Sequence, residues 1–225
     1  MSKPTVVIVP GSWQKPIVWD GFRAVLLAGL ADDVAALRHV LEPLIEHQGQ
    51  DVVLLCHSSG GVVGSNAVEG LDAPTRRADG KTGGAVRVAF LSAFMLPRGM
   101  SLLDMFGGTP APWMVVEGDR VTGNPELFPE VEFNDLSPDE QVRWSKEATH
   151  TWAALFGTPS GYEPWAGGMP CAYIVCEDDR ALPPQHQRGM ALLLGPEPRA
   201  ASAKSGHRPF LSVPKELLRA LEKVC

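Results

Sequence analysis

Ser58, a carboxylate among Glu177, Asp178 and Asp179, and His207 are the residues whose types could together activate a hydroxyl in this chain. A serine hydroxyl is a weak nucleophile until a histidine takes its proton, and the imidazolium that forms needs a carboxylate beside it. Ser58 lies in the stretch Asp51 to Asn66, DVVLLCHSSGGVVGSN. There the apolar run Val52 to Cys56 leads into His57-Ser58-Ser59-Gly60-Gly61 and then into small and apolar residues suited to a helix. Strand, sharp turn and helix are the context in which G-x-S-x-G marks a nucleophile elbow, a strained turn that holds the serine hydroxyl clear of the backbone. The glycine two places on selects Ser58 over its neighbour Ser59, and Cys56 replaces the pattern's first glycine, small for small. Taken alone, the same stretch also reads as a Ser/Gly-rich turn in any α/β protein.

The remaining pieces also fall at strand ends. Thr5 to Val9 has the β-rich character of a buried parallel strand and stops at Pro10-Gly11-Ser12-Trp13. In an acyl-transfer site the loop after such a strand donates one backbone N–H to the oxyanion, and the residue after the nucleophile donates the other. Those donors are Ser12 and Ser59. Strand character returns in Ala172 to Cys176, followed at once by Glu177-Asp178-Asp179, on the edge where parallel sheets build their sites. His207 stands in a small-residue loop before the last helix. The order serine, acid, histidine, each after a strand, makes coincidence a poor explanation.

Composition bounds the rest. A chain of 225 residues with 44% hydrophobic content can bury a full core. The formal net charge is -6 with no basic run, which argues against nucleic acid. The apolar runs are too short to cross a bilayer, and the first, Val6 to Val9, breaks at Pro10-Gly11, which is no signal peptide. The four cysteines therefore read as reduced thiols of a cytosolic protein, none at metal-ligand spacing. No histidine pair at ligand spacing and no G-x-G-x-x-G after a strand are present, so no metal or cofactor is expected.

The supporting elements follow from periodicity. Helices are expected from about Ile17 to Ala28 and from Ala31 to His47, the second kinked or broken at Pro43, with His39 and His47 solvated. Val86 to Leu91 is a third strand, and Asp72 to Gly84 reads as a surface loop. From Arg98 to about Gly168 strand signals weaken and Trp113, Trp144, Trp152 and Trp165 appear. One helix there is well signed by the capping-box residues Ser137 and Glu140 around Pro138, and should run to about Leu155. This stretch reads as an inserted, mainly helical cap, with residues 1–97 and 169–225 forming the core. Further helices are expected over Pro184 to Leu194 and Pro214 to Val224.

With these pieces in place the chain resembles the α/β-hydrolase superfamily, in particular the group of plant methylesterases, hydroxynitrile lyases and their microbial esterase-like relatives. The resemblance rests on VIVPGSW at Val7 to Trp13, LLCHSSGG at Leu54 to Gly61, FNDLSPDEQVRW at Phe133 to Trp144, YIVCEDDRALPP at Tyr173 to Pro184 and SGHRPFLS at Ser205 to Ser212. It covers nearly the whole chain and implies an α/β fold with a mostly parallel sheet flanked by helices. It also implies Ser58 as nucleophile, His207 as general base and acid, and Asp179 as the acid, being the carboxylate directly before Arg-Ala-Leu-Pro; Asp178 stays the alternative. Two departures stand out. Pro10-Gly11 replaces the family's usual His-Gly. Relatives also carry a further strand between their first two helices, where Leu27-Ala28-Gly29 here runs almost directly into Leu30-Ala31-Asp32-Asp33. The intact look of the flanking helices favours a stretch left out of the sequence as printed over a truncated copy or a rearranged sheet.

The expected activity is hydrolysis of a small, mostly apolar carboxylic ester or lactone through an acyl-enzyme. The alternatives are a lyase or isomerase that uses the same residues for proton transfer, or a ligand-binding member without chemistry. Lyase relatives place threonine where Gly11 stands and lysine where Arg208 stands, so Gly11 favours hydrolysis while Arg208 keeps a cation nearby. The expected partner is a small-molecule substrate, with no nucleic acid and no membrane, and a homodimer is left open.

Overall fold

The computed structural model describes residues 4–14 and 29–225, so the helix expected over Ile17 to Ala28 lies outside the described residues. Five strands, β1 (Thr5–Val9), β2 (Asp51–Ser58), β3 (Gly84–Ala93), β7 (Cys171–Cys176) and β8 (Ala200–Ala203), form a sheet in that spatial order. Every pairing in it is parallel. Parallel strands are covered on both faces, and the near-continuous apolar runs of β2 and β7 reflect this. Leu54, Cys56, Val88 and Phe90 pack into one core together with Leu37 and Leu41 of α1 (Leu30–Glu42) and Val62 and Ala67 of α2 (Gly60–Ala67). The alternating residues Leu55, Ala89, Leu91 and Ile174 face the other side, against Leu217, Ala220 and Val224 of α10 (Pro214–Val224).

Chain punctuation explains most boundaries. The α1 helix ends before Pro43, and Pro43–His47 continues as a single π-helical turn, with His39 and His47 exposed as expected. Asp72 to Gly84 is not simply a loop. It contains α3 (Ala73–Ala78), started by Asp72, whose side chain accepts from the Thr75 N–H at 2.8 Å, and by Pro74 in the first turn. The strand β8 gave no signal because Ala200-Ala201-Ser202-Ala203 lacks the β-branched character of its neighbours.

The segment 98–168 leaves the sheet after β3 and returns at β7. It holds α4 (Leu102–Met105), α5 (Phe128–Glu132), α6 (Pro138–Glu147) and α7 (Ala153–Gly157). A three-stranded antiparallel sheet of β4 (Met114–Glu117), β5 (Arg120–Gly123) and β6 (Thr151–Trp152) lies among them, which a mainly helical reading did not include. The α6 helix has the expected capping box of Ser137 and Glu140 but stops at Glu147 instead of running to Leu155. Ala148 turns extended, and the β-branched and aromatic pair Thr151-Trp152 joins β5 opposite Val121 and Arg120.

Among the described residues β1 pairs only with β2 and forms one edge of the sheet. The stretch before Gly29, where relatives carry a further strand, lies outside the described residues.

Candidate active site

The end of β2 and the start of α2 make a tight elbow around Ser58. Its φ is 55°, a left-handed conformation that a non-glycine residue adopts only when its surroundings enforce it. Gly60 supplies the close approach: a Cβ there would sit 2.4 Å from the Pro10 carbonyl oxygen. The loop after β1 and the elbow helix are therefore in backbone contact, which brings Ser12 beside Ser59, their hydroxyls 2.8 Å apart.

Of the three carboxylates after β7, Asp178 is exposed while Asp179 is buried and reaches His207. His207 Nδ1–H donates to Asp179 Oδ2 at 2.8 Å. Asp179 Oδ1 accepts the backbone N–H groups of Ala181 and Leu182, each at 2.9 Å, as the chain turns toward α8 (Pro184–Ala191). Gln187 of α8 donates to Oδ2 at 3.0 Å. Burial alone would lower the His207 pKa, but the carboxylates of Asp179 and Glu132 and the hydrogen bond His207 donates to Asp179 outweigh it and leave the group raised.

Ser92 is a member of this cluster that sequence reading passed over. The pairing of β2 with β3 shifts register between His57 and Ser58, so that Leu91 lies opposite His57 and Ala93 opposite Ser58, with Ser92 between them as the extra residue. A bulge of this kind re-aims a side chain. Ser92 takes φ 40° and its hydroxyl donates to Asp179 Oδ2, while Oγ lies 3.2 Å from His207 Nδ1. No motif in the sequence marks it, because the bulge arises from strand pairing.

His57, next to the candidate nucleophile, holds the histidine loop from the other side. Its Nε2–H donates to the His207 carbonyl oxygen at 2.7 Å and its Nδ1 accepts from Gln14 Nε2 at 2.7 Å. That tautomer is neutral, in keeping with a pKa driven well below 6.5 by burial first and then by repulsion from His207 and Arg208.

Ser58, Ser59, Ser12 and His207 share one narrow pocket whose remaining walls are mostly apolar. It shares Phe94, Phe106, Trp113, Ala181 and Leu182 with a wider adjoining pocket. The segment 98–168 contributes Phe106, Trp113, Met114, Glu132 and Phe156 to the narrow pocket; Trp144, Trp152 and Trp165 pack elsewhere, half-buried. This segment also grips the loop that carries Ser12. Trp13, at φ 60°, donates its N–H to Thr151 Oγ1 at 3.1 Å and its Nε1–H to the Val121 carbonyl at 3.0 Å, and its carbonyl accepts from Thr149 N at 3.2 Å. Asn134 and Asp135 reach the loops that carry Asp179 and His207, Asn134 Nδ2 donating to the Asp178 carbonyl and Asp135 Oδ2 accepting from Gly206 N.

The cysteines offer no competing nucleophile. Burial pushes the Cys56 and Cys176 thiols far up and that of Cys171 to about 12, and all four cysteines are free. Among the described residues no group of three His, Cys, Asp or Glu side chains is placed to hold a metal ion, and no helix is long and apolar enough to cross a membrane.

A parallel sheet with helices on both faces and a serine elbow at a strand end facing a His-carboxylate pair define the α/β-hydrolase architecture. The sequence profile of the Alpha/beta hydrolase family matches residues 6–220, and the chain belongs to that family. It is 29% identical over 255 aligned positions to a probable hydrolase, R7, of a Phoma species, covering 96% of each chain. That alignment is longer than the 225 residues here, so the relative carries residues this chain lacks. A pyrethroid hydrolase from Sphingobium faniae superposes with a TM-score of 0.70 at 22% identity, covering 97% of this chain and 96% of that one. For a polyneuridine aldehyde esterase the TM-score is 0.68 at 21% identity, covering 99% of both chains. At these identities the two structures speak for the fold, and the family as a whole marks the protein as a hydrolase.

Proposed function

We propose that the protein is a serine hydrolase that cleaves a small, mostly apolar carboxylic ester or lactone through an acyl-enzyme. The observation that carries this reading is the His207–Asp179 pair facing the same narrow apolar pocket as the strained Ser58 elbow. In the proposed mechanism Asp179 fixes the Nδ1–H tautomer of His207, which frees Nε2 to take the Ser58 proton as Oγ attacks the carbonyl carbon. The backbone N–H groups of Ser12 and Ser59 hold the oxyanion. The imidazolium then protonates the leaving alcohol, and a water activated by His207 releases the acid. The segment 98–168 acts as a cap that closes the pocket over the substrate.

Two observations weigh against proton-transfer lyase chemistry with the same residues. A Cβ at Gly11 would come within 2.5 Å of Ser58 Cβ, so no larger side chain fits there. Arg208 is buried in a pair with Glu132 and is no free cation for a leaving anion.

The test is peptide mass mapping after treatment of the native protein with a fluorophosphonate. Labelling should be confined to Ser58 and lost in His207→Ala. A folded protein that takes no label would overturn the reading.

A further inference from the structure

Glu132 is a polar side chain of the narrow pocket for which the proposed mechanism has no use. It sits at the end of α5 and is 1% exposed. Its Oε2 accepts both Nε and Nη2 of Arg208, at 2.9 and 2.6 Å, and the guanidinium lies over the Phe133 ring, 4.7 Å from its centroid. Arg208 itself is not part of the pocket wall, whereas Glu132 is. Its second oxygen, Oε1, makes no hydrogen bond among the described residues, yet it is not one of the sealed, orphaned side-chain oxygens of the interior. Glu132 lines the pocket together with His207, Phe94, Trp113 and Phe156, and Oε1 is its oxygen left for a further donor.

A buried ion pair is a poor way to gain stability, since two well-packed apolar residues do as well or better. A carboxylate oxygen facing apolar walls is worse, because its desolvation goes uncompensated until a donor reaches it. Among the described residues no side chain donates to it, so the donor has to come from water or from a bound molecule that displaces it. Arg208 already balances the charge, so the fitting donor is neutral, an O–H rather than an ammonium, and an anionic group would be repelled. The closeness of Glu132 to the reacting centre is also visible in its electrostatic lift on His207.

We infer that Glu132 is the specificity-determining residue of the pocket, its Oε1 accepting a hydrogen bond from a substrate hydroxyl close to the scissile carbonyl. The preferred substrates are then hydroxyl-bearing esters or lactones. The inference rests on the ester-hydrolase reading of the same pocket, and the experiment separates the two.

The experiment compares kcat/KM for two matched ester pairs, each value divided by the rate of alkaline hydrolysis. Methyl mandelate is set against methyl phenylacetate, and methyl 3-hydroxy-3-phenylpropanoate against methyl 3-phenylpropanoate. The hydroxyl-bearing member should be favoured about ten- to a hundredfold in at least one pair, as expected for a hydrogen bond to a charged acceptor. The preference should vanish in Glu132→Leu/Arg208→Met, which removes both charges while keeping apolar bulk. Glu132→Gln, nearly isosteric, should weaken it too, and keeps the test alive if the double variant does not fold. Because the preference is a ratio within each protein, a general loss of activity cancels. Equal turnover in both pairs, or a preference that survives both variants, would sink the role of Glu132 and leave the hydrolase reading standing. No turnover of any of the four esters, together with no fluorophosphonate labelling, would bring down the hydrolase reading itself.

Discussion

Asp179 accepts five hydrogen bonds, from the Ala181 and Leu182 backbone, from Gln187, from Ser92 and from His207. A carboxylate fixed so completely has one orientation to offer its histidine, whereas Asp178 points to solvent one residue earlier. Asp179→Asn should therefore lower kcat on an activated ester by about 10⁴-fold, the scale on which a wrong histidine tautomer costs. Asp178→Asn should change it little, and the reverse ranking would move the acid. Ser92 makes a finer test. Ser92→Ala loses the hydroxyl but keeps the left-handed backbone, while Ser92→Gly loses the hydroxyl and relieves the backbone. Both should reduce kcat by roughly tenfold with KM unchanged, in line with losing one hydrogen bond to a charged group. Thermal melts should separate them, with the glycine variant the more stable. If only one of the two loses activity, the hydroxyl is not the cause. That Ser58 and His207 meet in one pocket was legible in the sequence, from the elbow motif and the order serine, acid, histidine along the chain. Choosing Asp179 over Asp178 took a family resemblance, since adjacent carboxylates differ only in which way the strand end points them. Ser92 and Gln187 could not be read at all: one depends on a register shift between strands and the other on how a helix packs back.

Elements tell the same story at longer range. Strand β1 and helix α10 fell where periodicity put them, because a buried apolar run and an amphipathic stripe each declare their own burial. The small sheet β4-β5-β6 did not declare itself, since its short strands exist by pairing with one another. That sheet has a task in the proposed site: Thr151 of β6 and Val121 of β5 hold Trp13, and Trp13 follows the oxyanion candidate Ser12 directly. The segment 98–168 and the loop that carries Ser12 are thus tied together directly. Thr151→Val keeps the shape of the side chain and removes the acceptor of a buried N–H, which should cost about 1–3 kcal/mol of stability by chemical denaturation. It should also lower kcat for the ester by about ten- to a hundredfold as Ser12 loses its fixed place. A variant that loses the stability but keeps full kcat would show that the oxyanion loop does not depend on the cap.

Across the whole molecule, the two histidines at the centre pull stability in opposite directions with pH. His207 is raised above 6.5, so the fold favours its protonated form; that contribution is complete below 6.5 and is lost as pH rises through the raised value. His57 is driven well below 6.5 and stays neutral in the fold, so stability falls as pH drops beneath 6.5, where the unfolded chain takes a proton that the folded one refuses. Together the pair gives a stability maximum near pH 6.5. Activity follows another rule, since the proposed general base must be neutral: kcat/KM should climb through the raised pKa of His207, on the alkaline side of that maximum. The protein should therefore be most active where His207 stabilises it least. Melting temperatures from about pH 5 to about pH 9, taken for the parent and for His207→Ala, isolate the effect because the other titrating groups are common to both. The gap between the two proteins should narrow steadily above pH 6.5 while the parent's kcat/KM rises. A gap that stayed constant across that range would mean that the fold does not favour the protonated form of His207, and the Asp179–His207 pair would then lack the electrostatic grip its geometry implies.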